Sequence, residues 1–476
     1  MRIMTSTPWI LSLAALASLG TACDTHPIAV STTATNAEAF ALTAEWPAFV
    51  QTSTPKLDLL FMVDNSSSMA PLQKKLAAGF TDFMTVLEQL PGGTPDLHIG
   101  VVSSSLGAGE EQGIAQCTVG GDRGMLQSAP VGGCMQTGLS DNYIAVKTDP
   151  TTGQLDTNFG AQALPDVFSC IALLGENGCG FEHQLASVRT ALDPATAPMT
   201  NVGFLRADAF LAVVLITNED DCSAPHNTTL FDQTSQLVSD PFGPLQSYRC
   251  NEYGHLCLYD GKLQAPPRQP DGEVTLSGCV SNEKGPLDPV ADFVTFLKGL
   301  KGDPARVFLA AVTGPATPYV VGLTAPTLQD ASQWPIIEHS CQDADGTYAD
   351  PSVRIAQAVN AFGGHGLLAS ICDDTMGPVL QKISTQLSRP MAAPCVPTPD
   401  PSGPGCTVVD RSVADDGTIA AARVPSCDVA NGATPCWTLV ADATCGAGSE
   451  HLKVSRGGAT VPATLVTAID CSAPHP

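Results

Sequence analysis

The chain has 476 residues, 43% of them hydrophobic and 14% charged, with 17 cysteines and a formal net charge of -25. That length allows two or three domains and a sizeable core. So acidic a balance argues against nucleic acid as a partner, since phosphate binding depends on Lys and Arg to neutralise it, and 43 Gly with 38 Pro imply long connections between regular elements.

Residues 1–22 have the layout of an export signal: Arg2 as a weak positive start, Ile10 to Leu19 as an apolar stretch, and Gly20-Thr21-Ala22 as small cleavage-site residues. The segment is too short to remain as a membrane span. Cys23 follows at once, and this arrangement resembles a bacterial lipoprotein signal. The resemblance implies that Cys23 becomes an acylated first residue, that the membrane is engaged through that lipid, and that the protein sits in the cell envelope, at the outer membrane or surface of a Gram-negative bacterium. Gly20 stands where such signals carry a large aliphatic residue, so simple secretion is the competing reading. Residues 23–55 lack periodic apolar residues and read as a linker. Without Cys23 an even sixteen cysteines remain, as expected of an oxidised exported chain. Zinc is the alternative, with Cys222-x3-His226 and His255-x-Cys257 as its candidate ligands.

From Lys56 onward, strand-length apolar runs alternate with helix-period segments, which predicts an α/β fold with a doubly wound, mostly parallel central sheet flanked by helices. The first strand, Leu57 to Val63, is too continuously apolar for a half-exposed position and is expected at the centre. Leu72, Leu76, Phe80, Phe83, Leu87 and Leu90 then mark one helix face, ended by Pro91-Gly92-Gly93. A second strand covers Leu97 to Val102. Residues near 107–160 look like a cysteine-bearing insertion, followed by a helix with Leu185, Val188 and Leu192 on one side. The most hydrophobic strand is Phe210 to Thr217, a second cysteine-rich insertion fills about 219–285, and a helix (Val290 to Leu300) and a strand (Val307 to Val312) follow. A helix near Pro351 to Phe362, a strand at Leu367 to Ala369 and a helix carrying Val379, Leu380, Ile383 and Leu387 close a domain spanning 56–394. Residues 395–405 read as a Pro-rich linker, and 406–476 as a small disulfide-rich β module.

Directly after the first strand stands Asp64-Asn65-Ser66-Ser67-Ser68, then the amphipathic helix. A carboxylate and two hydroxyls at a central strand's carboxyl end suit a hard divalent cation that keeps positions open for water or a partner. A helix N-cap with a capping serine is the metal-free alternative. The strand, the Asp-x-Ser-x-Ser and the helix together resemble the von Willebrand factor type A domain over about residues 56–394. More narrowly, Ile216 to Ser223, Gly178-Cys179-Gly180-Phe181-Glu182 and Ser370 to Asp374 are similar to cysteine-rich lipoproteins of myxobacterial-type bacteria. The family resemblance implies a metal-ion-dependent adhesion site holding Mg2+ or Ca2+, or Mn2+, with Ser66 and Ser68 as direct ligands and Asp64 direct or through water. It also implies a protein or other acidic ligand engaged through the cation. The family's later Asp falls on Asn218, with Asp220 as the nearest substitute, and its Thr has no counterpart, so Glu182 is the candidate to supply that oxygen.

Asp343-Ala344-Asp345-Gly346-Thr347-Tyr348-Ala349-Asp350 has the look of a calcium loop but lacks the later EF-hand ligands, so a solvated acidic turn is preferred. His98, inside a strand, reads as a satisfied structural histidine. Nucleophile-elbow, zincin and phosphate-loop motifs are missing from the sequence. A binding protein is therefore expected rather than an enzyme. A purely structural envelope protein is the alternative, and a metal-dependent hydrolase using Glu182-His183 is the least favoured reading.

Overall fold

The computed structural model describes residues 48–50, 55–90, 94–129, 137–149, 154–324, 333–389, 391, 395–397, 405–413, 419–440, 448–457 and 465–471. The export segment, Cys23, most of the first linker, residues 398–404, Cys134 and Cys445 lie outside them.

The central sheet is built from β1 (Lys56–Val63), β2 (Asp96–Ser103), β3 (Ile144–Thr148), β4 (Leu155–Thr157), β5 (Phe210–Ile216), β6 (Val307–Thr313) and β7 (Gly366–Ser370), in the order β7-β6-β5-β1-β2-β3-β4. β1 runs parallel to β2 on one side, with Leu57 opposite Leu97, and parallel to β5 on the other, with Leu57 opposite Phe210. Its central place explains the nearly continuous apolar run, because both faces are covered. Leu57, Leu59, Phe61 and Val63 face a core shared with α1 (Ala70–Glu88), α2 (Leu164–Ala172) and α7 (Gly377–Ser388). Leu60 and Met62 face the other core, shared with α3 (Gln184–Leu192), α5 (Val290–Gly299) and α6 (Val353–Asn360). Phe61 anchors the first core against Phe80, Phe83 and Phe168, at ring-centroid distances of 6.2, 6.0 and 4.9 Å.

Asp58 interrupts the β1 pattern because its buried carboxylate is neutralised in place. It accepts from Arg206 Nε at 2.7 Å and from Lys301 Nζ at 2.8 Å near the amino-terminal edge of the sheet. At the opposite edge the chain leaves β1 toward β2 and later returns to β5 on β1's other side. The loops after Val63 and Ile216 therefore flank the topological switch point, where open α/β sheets form a crevice.

Several expectations need correction. The stretch near 107–160 is not purely an insertion, because β3 and β4 extend the sheet antiparallel from β2. Helix α2 was not located from the sequence: Val167, Phe168, Ile171 and Ala172 line one buried face, but its nine residues fall short of the roughly 11- to 18-residue span over which periodicity is read. Residues 219–285 hold α4 (Tyr248–Gly254) and the strands His255–Tyr259, Lys262–Gln264 and Val274–Ser281, which join Tyr319–Leu323 and Pro335–Glu338 in a second, five-stranded antiparallel sheet. Cys395–Pro397 belongs to the C-terminal module as a strand against Ser449–Ser455, rather than to a linker, and Ala48–Val50 pairs with Val466–Asp470 of the same module. The module's core gathers Val396, Val408, Val424, Leu452 and Ile469.

The described cysteines form disulfides. Cys117–Cys179, Cys222–Cys250, Cys257–Cys279, Cys341–Cys372, Cys406–Cys471 and Cys427–Cys436 are bonded, and Cys170 and Cys395 are disulfide-bonded as well. The zinc alternative falls, since Cys222 and Cys257 have cysteine partners and His255 binds a carboxylate.

Candidate functional site

Asp64 follows β1 at the switch point and is fully buried. Its backbone N–H donates to Ile216 O at 2.9 Å. One carboxylate oxygen accepts from the Ser66 N–H (2.8 Å) and the Ser104 hydroxyl (3.0 Å), and the other from the Thr217 hydroxyl (2.7 Å). One side chain thus ties together the turns after β1, β2 and β5. Burial pushes the Asp64 carboxyl up, against the downward pull of Thr217, Ser66 and Ser104.

Ser66 Oγ lies next to that carboxylate, buried and without a hydrogen-bond partner of good geometry. Ser68 donates to Asn218 Oδ1 at 3.1 Å, and Asn218 Nδ2 donates to Tyr348 O at 3.1 Å. The capping role is not found: α1 begins after Met69, with no side-chain cap. The two serine hydroxyls are therefore not employed in starting the helix.

The segment from Gly178 to Glu182 crosses over this turn. Gly178 N–H donates to Asn65 O at 2.8 Å, and a Cβ on Gly178 would stand 2.2 Å from Asn65 Oδ1, so only glycine fits the crossing. Cys179 is held by its bond to Cys117, and Glu182 O accepts the Cys222 N–H at 2.8 Å. The Glu182 side chain is 2% exposed, and its Oε1 has no partner. Burial, then the charges of Glu219 and Asp64, push its carboxyl well above the usual range. Glu219 is pushed up to about 8, by burial first and then by Asp350 and Asp64. Burial thus pushes both carboxyls toward the protonated form.

Asp220 has a different task. Its Oδ2 accepts from His255 Nε2 (2.8 Å), Val353 N (2.7 Å) and Arg354 N (2.8 Å), and its Oδ1 from Asp221 N (2.9 Å) and Ile355 N (3.1 Å). Burial opposes its ionisation, but His255 and the N–H groups opening α6 outweigh that and hold its carboxyl low. With both oxygens so engaged, Asp220 anchors α6, and Glu219 takes the acidic position beside Asp64. Asp221 is likewise structural, paired with Arg354 Nη2 at 3.0 Å.

His183, the base of the least favoured reading, is buried. It accepts from Ala224 N at Nδ1 (3.4 Å) and meets Gly107 O through Nε2 (2.9 Å), so burial keeps it neutral with both ring nitrogens engaged. The acidic stretch from Asp343 is a hairpin turn: Asp343 accepts from Asp345 N and Thr347 N and pairs with Lys75 at 2.7 Å. His98 Nδ1 meets Phe204 O at 2.9 Å, as expected of a structural histidine.

The structure thus brings together Asp64, Ser66, Ser68, Asn218 and Glu182, turns Asp220 to another purpose, and adds Ser104, Thr217, Glu219 and Asp350. Among the described residues no three His, Cys, Asp or Glu side chains converge as a metal cluster. A cation here would therefore rest largely on hydroxyl and amide oxygens beside Asp64. Two features fit such a group: an oxygen-only donor set, and the buried Ser66 Oγ that lacks a partner of good geometry.

No protein-family model and no curated protein matches the chain. Solved structures with some likeness include the pilus adhesin SpaC of Lactobacillus rhamnosus GG in an open conformation (12% identity, 88% of this chain and 39% of that one, TM-score 0.31). Others are a von Willebrand factor type A protein of Catenulispora acidiphila (11%, 91% and 63%, 0.26) and the pilus adhesin RrgA of Streptococcus pneumoniae (12%, 89% and 57%, 0.27). The chain spans 39% to 63% of the length of these three, and likenesses this distant carry no argument about activity.

Proposed function

We propose that the chain is an exported, lipid-anchored cell-envelope protein whose α/β domain binds an acidic partner group through a divalent cation at the switch point between β1 and β5. The observation that carries this reading is the buried Ser66 hydroxyl left without a partner of good geometry beside Asp64, in a crevice where burial pushes the carboxyls of Asp64, Glu182 and Glu219 up and none of the three has a cationic partner among the described residues. Asp64 would hold the cation from the sheet side, its carboxylate fixed by the turns after three strands. Ser66 and Ser68 would add neutral oxygens, Asn218 an amide oxygen, and Glu182 a carboxylate at the rim. Such a cation supplies a bridge between the crevice and a carboxylate on the partner, offsetting the repulsion expected between two acidic surfaces. Hydrolysis is not part of this reading, because His183 has no ring nitrogen to offer as a base.

The envelope assignment rests on residues 1–23 and on the disulfides, which belong to an oxidising compartment. No helix among the described residues is long and apolar enough to cross a membrane. The anchor assigned to the chain is the lipid on Cys23. Calorimetry on the chain lacking residues 1–22, titrated with Mg2+, Ca2+ and Mn2+, tests the site. Binding that Asp64→Ala abolishes while the thermal transition persists supports it. No heat at millimolar cation leaves Asp64 as a structural tie between three turns and removes the bridging mechanism.

A further inference from the structure

Beside the Asp64 turn lies a cavity lined by Glu182, Glu219, Asp350, Ser247 and Asn251, with room for roughly one water-sized group. Asp220 and Asp221 also reach its wall, but His255, Arg354 and the N–H groups of α6 already answer their charges. Glu182 and Glu219 have no cationic partner among the described residues, and Asp350 has only the exposed His339, at 2.7 Å. A second observation is different in kind: Glu182, 2% exposed and part of the cavity lining, has an oxygen that meets no donor. Buried acceptors of this sort are satisfied in nearly all folded proteins, so the unpaired one asks for a donor brought from outside.

The donor's chemistry follows from size and spacing. A divalent metal needs ligands converging at about 2.0 to 2.6 Å, and the acidic groups do not converge so closely. A primary ammonium fits a wider ring, since its three N–H groups donate at about 2.7 to 3.2 Å and its head is close to water in size. We infer that this cavity receives a primary ammonium group, presented by a lysine side chain of the partner, next to the crevice assigned above to a cation and a carboxylate. The partner then shows a paired signature, one acidic and one amino group side by side. This deepens the proposed binding face and rests on that reading for the location of the face, though not for the cation itself.

The test uses the full chain without residues 1–22, in chelator at low salt, with Nα-acetyl-lysine amide as probe, methylammonium as the free-amine comparison and Nα,Nε-diacetyl-lysine amide as the uncharged control. Saturable binding of the lysine amide and not of the diacetyl form is expected. Glu182→Gln and Glu219→Gln, both isosteric, should each weaken it at least tenfold, and Asp345→Asn in the exposed turn should leave it unchanged. Methylammonium binding as tightly as the lysine amide would assign the cavity to free amines and overturn the partner-lysine assignment. Equal binding of both lysine forms, or binding that survives both Gln variants in proteins with intact thermal transitions, overturns the ammonium site. Mg2+ titration of the same proteins in chelator-free buffer separates the two readings: Mg2+ heat without an ammonium response sinks this inference alone, and the reverse result sinks only the cation bridge.

Discussion

Replacing Glu219 by Gln should stabilise the cation-free protein, and only at high pH. Its carboxyl is raised from an ordinary 4.5 to about 8 by burial and by the charges of Asp350 and Asp64. The folded state therefore keeps a proton that the unfolded chain has already lost between those two values. Stability falls as pH rises through that window, and the cost is complete above about pH 8. At about 1.4 kcal/mol per pH unit a fully buried group would lose ~5 kcal/mol. Glu219 is partly exposed, and solvent screening reduces the expected cost to ~1–2 kcal/mol. Gln keeps the shape and removes the charge, so the variant should melt roughly 2–5 °C higher at pH 9 and within about a degree of wild type at pH 5. Scanning calorimetry in chelator at both pH values is the assay. Equal effects at the two pH values, or a destabilised variant at pH 9, would show that repulsion in the crevice is not what raises this carboxyl. Millimolar Mg2+ should narrow the gap at pH 9, because a bound cation relieves the same repulsion in the wild type.

Other perturbations probe the elements that hold the site in place. Gly178→Ala would force a Cβ to within 2.2 Å of Asn65 Oδ1, displacing the segment that carries Glu182. It should weaken cation affinity by about tenfold or more, read by calorimetry, with a smaller loss of melting temperature. Asp58→Asn leaves Lys301 buried without that carboxylate, while the half-buried Arg206 keeps Asp96, and should cost ~3–5 kcal/mol in denaturant unfolding. Lying at the other end of the sheet, it should leave cation affinity in the surviving folded protein unchanged. Opening the Cys406–Cys471 bond by a double Ala substitution frees a separation of 65 residues, worth ~4 kcal/mol on the chain-entropy estimate. Limited proteolysis should then remove the C-terminal module while the α/β domain persists, and a module that resists cleavage would show that its small core suffices.

The parallel core was legible because its strands are buried on both faces: Leu59 to Val63 and Phe210 to Ile216 appear as unbroken apolar runs, which half-exposed strands do not. The antiparallel strand at Ile144 to Thr148, which lies between β2 and the edge strand β4, and the five-stranded side sheet were not, because most of their strands are short and several partners are distant in the chain. Tyr319 pairs with Leu276, for example, across a stretch that local periodicity cannot see. The same limit governs the site. Asp64, Ser66 and Ser68 were found because one strand and one turn deliver all three. Choosing among Asn218, Glu219, Asp220 and Asp221 required knowing where α6 begins, 133 residues after Asp220, since only the N–H groups of Val353, Arg354 and Ile355 reveal that Asp220 is already engaged. A strand end fixes which residues reach the crevice. What the rest of the fold has already claimed decides which of them remain free to bind.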